Sequence, residues 1–283
     1  MNKRPFLFLA CLTLLFPMTC EAAKNVAVEV TPAVGYRQDS LKWTANDKSS
    51  GQWKNIKFIE YGAKAKAVIK DRYVFNFDVM VGNLIGGSFQ DNNYLNPLLA
   101  SSVPAQKGSS LSFRPNFGIG YKFKPKRCFA LVSQLGFFYE LLYLKTKKVN
   151  SGPFSELKDT VQWFGPWIGL DTTTKLTQRL TLDLGGAYQL AFYRNSATWN
   201  TPFIQTQNRT NQKATGQGVA GRVRLQYEVV KSVSLGGEAD IAWKWTNSGH
   251  STRKFADTPT VKNTLTKVTA RTWGARLVLT KAF

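Results

Sequence analysis

The sequence predicts an all-β fold: a transmembrane antiparallel up-and-down β-barrel of about ten strands, with long extracellular loops and short periplasmic turns. Three observations carry this. Apolar and polar residues alternate with period two through most of the chain. Long polar stretches take turns with short connections. The chain ends on Phe283 after an apolar row of Trp273, Ala275, Leu277 and Leu279. Hydrophobic residues make up 43% and charged residues 19%, which excludes wholesale disorder.

The chain opens with Lys3 and Arg4, an apolar run from Pro5 to Phe16, and small residues around Ala22 and Ala23. That run is too short to span a bilayer and reads as a secretory signal peptide over residues 1–22, cleaved after Ala22 or Ala23. A lipoprotein site at Cys20 is the competing reading, with Pro17-Met18-Thr19 as a poor lipobox. The barrel then occupies residues 23–283. Its first strand begins near Val26. Ile59, Tyr61, Ala63, Ala65, Ala67 and Ile69 form one face of the next, against Glu60, Gly62, Lys64 and Lys66. Tyr73 to Val81, Leu111 to Phe123 and Phe129 to Tyr143 continue the pattern. Gln162 to Thr174 is the least regular segment, and Pro166 within it predicts a bulge. Leu180 to Leu184, Val219 to Tyr227, Val233 to Trp245 and Trp273 to Phe283 complete the series. The terminal Phe283 has the form of a barrel assembly signal, which implies the barrel assembly machinery as a partner; Lys281 stands where an apolar residue is more usual, and its length lets it snorkel.

Short connections fall at Lys70-Asp71, Lys124 to Arg127, Lys175 to Gln178 and Val230 to Ser232. Between them lie polar stretches read as loops: Asp39 to Asn55, Gly86 to Gly108, Lys145 to Asp159, Asn195 to Lys213 and Thr246 to Thr264. Aromatics toward the strand ends suggest two girdles, with Tyr73, Tyr227 and Phe283 below and Tyr143, Tyr193, Trp243 and Trp245 above.

Charge is the second theme. The formal net charge is +21, and +20 once Lys3, Arg4 and Glu21 are removed. Alternation turns a row of both signs inward, including Arg37, Glu60, Lys64, Asp78, Arg114, Glu140, Asp171, Arg222, Arg224, Glu238, Asp240, Lys244 and Arg276. Buried charges persist mainly when paired, so a neutralising lumen network is expected, with a narrow conduit as the functional alternative. The loops are net basic. Arg209, Lys213, Arg253, Lys254 and Lys262 are the candidate ligands of lipopolysaccharide phosphates or a host polyanion; a merely solvated basic face is the alternative. Nucleic-acid binding has no supporting fold signal. Asn208-Arg209-Thr210 matches a glycosylation pattern that a bacterial-type barrel has no use for. One His and three Cys give no metal site, and no P-loop or Gly-x-Ser-x-Gly elbow is present, so neither a cofactor nor a metal is expected.

Several segments resemble the omptins, ten-stranded outer-membrane proteases. They are Gly35-Tyr36-Arg37 with Leu41-Lys42-Trp43, Pro166-Trp167-Ile168-Gly169-Leu170, Leu184-Gly185-Gly186, and Gly86-Gly87 followed by Asp91-Asn92-Asn93-Tyr94. The resemblance implies a barrel over nearly the whole mature chain. The family activates water with an Asp pair and an Asp-x-His of its fourth loop. Here Asp91 matches the first Asp, Asn93 replaces the second, and the segment from Asn195 to Lys213 holds no Asp, Glu or His. Asp91 then reads as a turn residue, and His250 as an exposed structural His. The scaffold is expected without its catalytic residues. The leading expectation is a non-enzymatic, monomeric outer-membrane barrel whose basic exterior binds a surface or host ligand or stabilises the envelope. A small porin-like channel is the second expectation, and an omptin-type endopeptidase the third.

Overall fold

A computed structural model describes residues 25–46, 50–92, 102–126, 128–146, 156–200, 207–254 and 260–283. The predicted signal peptide and Asn93 lie outside them. Ten long strands close into a ring: β1 (Val26–Ala45), β2 (Ser50–Ile69), β3 (Tyr73–Asn92), β5 (Leu111–Lys126), β6 (Phe129–Lys145), β7 (Glu156–Lys175), β8 (Leu180–Asn200), β9 (Gln207–Val230), β10 (Val233–Lys254) and β11 (Val261–Ala282). The short β4 (Ser102–Pro104) is an eleventh strand that pairs only with β3. Each ring strand pairs antiparallel with its chain neighbours, and β1 pairs with β11 to close the ring. Closure leaves no unpaired edge, which a strand-built membrane span requires.

The seam is fixed by the C-terminus. The Phe283 amide donates to the Val28 carbonyl at 2.9 Å, and the Lys281 ammonium lies 5.0 Å from the Phe283 ring centroid. The Lys70-Asp71 turn has φ of 49° and 57°, the two left-handed positions of a tight hairpin. Asp71 there takes an ion pair from Lys124, which holds its carboxyl below the usual carboxylate range.

The outer wall carries the predicted apolar belt. Phe77, Phe117, Leu135, Ile168, Leu184, Ile241 and Leu277 are all exposed, a liability in water and a requirement in lipid. Tyr73, Tyr121 and Phe123 cluster at its lower edge, and Trp243 with Trp245 at its upper one, 5.2 Å apart. Tyr193, expected in the upper girdle, instead faces inward and is 1% exposed.

Strand length corrects the loop reading. A strand of 20 residues tilted by about 40° rises about 50 Å, twice an apolar band of ~25 Å. Most of the stretches read as loops are therefore strand, continuing outward beyond the membrane. There the alternation inverts. In β7, Ile168 and Leu170 face out in the belt, whereas above it Leu157, Val161 and Trp163 are buried inside and Lys158 is exposed. Pro166 makes no register shift: β7 keeps one register with β8 from Lys175 to Glu156 and loses only the pairs at Gly165 and Pro166. The ring nitrogen withdraws one donor without displacing the strand.

The phase does shift in β2 and β3. One extra residue at Asn55 (φ 50°) lies near Gly87 (φ 142°), and the register between the two strands breaks from Lys54 to Phe58. A Cβ on Gly87 would lie 3.0 Å from the Ile56 Cα, and its φ is one that side-chain-bearing residues rarely adopt. Below this point even-numbered residues of β3 face inward; above it Phe89 and Asp91 do. Asp91 is thus an inward strand residue opposite Gly51, not a turn residue.

Refolded into detergent, the chain is expected to give a β-rich circular dichroism spectrum and to run as a monomer whose gel mobility changes on heating. A helical spectrum, or solubility without detergent, would contradict the architecture.

Candidate functional site

The predicted inward charges meet across the lumen. Arg37 at the ring's centre binds Asp39 (2.8 Å), Glu60 (3.2 Å) and Glu140. Lys244 reaches the other Glu140 oxygen. Glu60 also takes Arg114 (3.0 Å) and Arg276 (3.1 Å). Arg276 continues to Glu238 (3.0 Å) and Asp240 (2.5 Å), and Glu238 binds Lys64 and Arg224 (2.8 Å). With Asp78 on Lys64 (3.6 Å), one connected set holds six cations and six carboxylates, a net charge of zero. Arg222 and Asp171 form a separate pair at 2.9 Å. The contacts between β1 and β6 and between β6 and β10 join strands nearly opposite in the ring, so they are struts across the bore. Arg37 and Glu60 are fully buried.

Above this layer the bore is filled by an apolar core. Trp53, Ile56, Phe58, Leu144, Val161, Trp163, Tyr193, Leu265 and Val268 come from five strands and are at most 1% exposed. Asp159 is buried among them and accepts from the Trp53 indole N–H (2.7 Å) and the Asn195 amide (2.6 Å). Burial pushes its carboxyl up to about 6, with both hydrogen bonds pulling the other way.

A small cavity of about 30 Å³, room for a water or two, lies in this core. Trp43, Phe89, Trp199 and Leu157 line it together with Asp91, Asp159, Thr210 and Gln212. Trp43 stacks on Phe89 at 5.8 Å and 25°. It lies flat across its cross-strand partner Gly51, where a Cβ would come within 2.2 Å of the indole. The Trp43 Nε1 and Thr210 Oγ1 are buried without a protein partner. A group so placed costs on the order of 1–3 kcal/mol unless water completes it. This cavity escaped the sequence reading. Its one visible signal was Asp91, whose neighbours come from strands distant in sequence.

The expected basic ligands divide. Arg209, Lys213, Lys254 and Lys262 are exposed on the outer wall above the belt. Arg253 is not with them: it faces inward and is buried, opposite Thr210, because β10 changes phase at the irregularity between Thr246 and Ser248. The wall adds residues that the loop reading passed over. Arg194, Lys213 and His250 are direct cross-strand neighbours over β8, β9 and β10, and Arg209 faces Lys254 two same-face positions higher. Exposed Lys42, Lys158, Lys267 and Arg271 flank these rows. Among the described outer-wall residues of this upper section the carboxylate is Glu156, paired with Lys145 at 2.6 Å. Among the described residues no cluster of His, Cys, Asp or Glu could hold a metal.

The sequence profile of the family described as "Pom: Protochlamydia outer membrane protein" matches residues 31–282. No curated protein sequence matches the chain. Among solved structures, the outer membrane protease OmpT from Escherichia coli superposes with a TM-score of 0.73 at 10% identity, over 92% of this chain and 97% of that one. The outer membrane protein OprG from Pseudomonas aeruginosa gives 0.41 at 9% identity, over 92% and 97%. Ail of Yersinia pestis gives 0.29 at 9%, over 90% and 98%.

Two outcomes test this geometry. Arg37→Met strands carboxylates inside the bore and should destabilise the protein by roughly 3–5 kcal/mol in urea titrations from lipid vesicles. Arg72→Met, on the exposed turn, should stay within about 0.5 kcal/mol. Because the folded-state value of Asp159 is raised, its contribution to stability falls as pH climbs from about 4 to about 6 and stays low above that. Asp159→Asn should therefore gain on the wild type across that window, by at most about 3 kcal/mol. A constant difference from pH 4 to pH 7 would contradict the assignment.

Proposed function

The chain belongs to the Protochlamydia outer membrane protein family, and from that premise we propose that it is a closed, non-enzymatic outer-membrane barrel acting through its outer wall. The observation that carries this reading is the pair of cationic rows. Like charges directly opposite in a sheet are destabilising. Arg194 beside Lys213, and Arg209 beside Lys254, fit a wall that has an anion between its strands. The lower row, Arg194 with Lys213, lies a few residues above exposed Leu190, near the height of phosphate-bearing head groups, while the upper one, Arg209 with Lys254, lies at the end of β10. Arg271, 5.4 Å from the Trp243 ring, stands at the boundary itself. The partner of this reading is the phosphate of the outer-leaflet glycolipid, lipopolysaccharide where the membrane contains it. A soluble host polyanion would find the same cations.

Absence of chemistry is part of the proposal. General-base attack by water needs a base within hydrogen-bond reach. His250, the single His of the chain, is exposed on β10 while Asp91 faces the interior. Thr210 and Gln212 occupy the β9 wall of the cavity, and Asp159 has both oxygens engaged. A channel is the second reading. It is favoured by the partly exposed lower-lumen charges, where the Arg222, Asp171 and Lys66 side chains are 32%, 27% and 33% exposed.

Retention on immobilised lipopolysaccharide or heparin should fall steeply with salt, since exposed charges act over a Debye length of roughly 10 Å at 0.1 M. Charge reversal of Arg194, Arg209, Lys213 and Lys254 together should abolish it. Arg253→Glu, buried inside, should not mimic that loss in any variant that still folds. Unchanged retention in the fourfold variant would leave the wall a solvated face. Cleavage of basic peptides by the wild type, lost in Asp91→Ala, would overturn the non-enzymatic reading.

A further inference from the structure

Two neighbouring turns on the periplasmic rim enclose an open groove of about 300 Å³, lined by Gln178, Arg179, Glu228, Val229, Val230 and Lys231. That volume reaches the range of small-molecule pockets, about 300–1,000 Å³. The turn between β7 and β8 supplies one wall, and the end of β9 with its turn supplies the other. The walls are tied together: the Glu228 amide donates to the Arg179 carbonyl at 2.8 Å. The Thr177 hydroxyl accepts from the Leu180 amide at 3.0 Å and holds the first turn. The groove is amphipathic. Arg179 and Lys231 are exposed, and two cations against the one carboxylate of Glu228, which takes the Ser232 amide at 3.4 Å, leave its lining with one positive charge. Val229 and Val230 are 52% and 59% exposed. Arg179 also donates to the Tyr227 hydroxyl, and Tyr227, Leu225 and Val223 carry the exposed face of β9 up into the apolar belt. Beside that ridge the wall is hollow. Gly237 stands opposite Leu225, and Gly221 opposite Gly186. A Cβ on Gly237 would meet nothing within 4 Å, and one on Gly221 nothing closer than 3.5 Å.

A small soluble anion would neutralise the cations and leave both valines in water. A purely apolar partner would leave the cations unpaired. What satisfies both is an anion carried on an aliphatic body. The groove lies at the lower edge of the belt, where the inner leaflet of the outer membrane presents such molecules. We propose that the groove binds one anionic phospholipid of that leaflet, with its phosphate between Arg179 and Lys231 and one acyl chain lying along Val229, Tyr227 and Leu225 toward the hollow at Gly237. The site is on the rim opposite the cationic rows of the upper wall, so its occupancy is independent of theirs.

The test uses full-length protein refolded in lauryldimethylamine oxide and titrated, under native mass spectrometry, with dioleoylphosphatidylglycerol or dioleoylphosphatidylcholine. Glycerol 1-phosphate and a short oligoglutamate serve as competitors without acyl chains. One phosphatidylglycerol should be retained at least about tenfold more tightly than phosphatidylcholine, and neither competitor should displace it at equal concentration. Arg179→Gln combined with Lys231→Gln should weaken that tightest site roughly thirtyfold, the effect of two cations at an anionic surface. Gly237→Leu places a side chain in open space, so it should fold with its heat-dependent gel shift intact and weaken both lipids alike. Charge reversal of Arg194, Arg209, Lys213 and Lys254 should leave the site unchanged. Equal affinity for the two lipids, or phosphatidylglycerol binding unaltered by the double glutamine variant or by Gly237→Leu, would overturn the proposal. Displacement by glycerol 1-phosphate would reduce the groove to a phosphate site, and displacement by oligoglutamate would assign it to an acidic protein; either contradicts a lipid occupant. Loss of phosphatidylglycerol binding in the fourfold wall variant would move the lipid to the upper wall and overturn the assignment equally. Loss of lipopolysaccharide retention with phosphatidylglycerol binding intact concerns the wall alone and agrees with two separate sites.

Discussion

Everything in this structure depends on how charge is neutralised inside the bore. A barrel of ten strands is just too wide to fill with aliphatic side chains and far too narrow for bulk water. Arg37, Glu60, Glu140 and Arg276 solve this by meeting in the middle. Removing such ions from water costs several kcal/mol each, and the cost is recovered only if every lone pair and proton is matched. Six cations and six carboxylates in one connected set balance the charge and match most of these groups, with Asp78 Oδ1 and Arg114 Nε among those left without a protein hydrogen-bond partner. The network ties opposite walls together, so it also fixes the cross-section of the barrel.

A neutral lumen has a consequence for the exterior. The large positive balance of the chain cannot reside in a set that sums to zero. It is instead carried outside the bore, at turns such as those of Lys70, Arg72 and Lys124, and on the outer wall above the apolar belt. The basic composition is thus a property of the surfaces that bracket the membrane, where anionic head groups lie. That partition connects the closed interior to the proposed engagement of phosphates.

The fold was legible because alternation in lipid is unambiguous: Phe75 and Phe77 against Asn76 and Asp78 admit one orientation. The inward charges followed from parity alone. Their pairing did not, since nothing local links Arg37 to Glu140 or Trp53 to Asp159. The upper barrel was misread for a physical reason. Beyond the membrane the outer face meets water, so Lys158, Thr160 and Gln162 alternate with Leu157, Asp159 and Val161 in the opposite sense. In sequence that looks like a polar loop. Arg253 and Asp91 went astray because irregularities at Thr246–Ser248 and at Asn55 reverse parity without a strong sequence mark. The small cavity sits where those reversals bring Asp91 and Phe89 inward, and so it required the structure.

The central claim is that ion pairs and an apolar core close the bore. Single-channel recording of the refolded protein in a planar lipid bilayer tests it most directly. The account predicts a silent bilayer, with unitary steps appearing only when the struts are cut, as in Arg37→Ala combined with Glu140→Ala. Regular ohmic steps from the wild-type protein would contradict it.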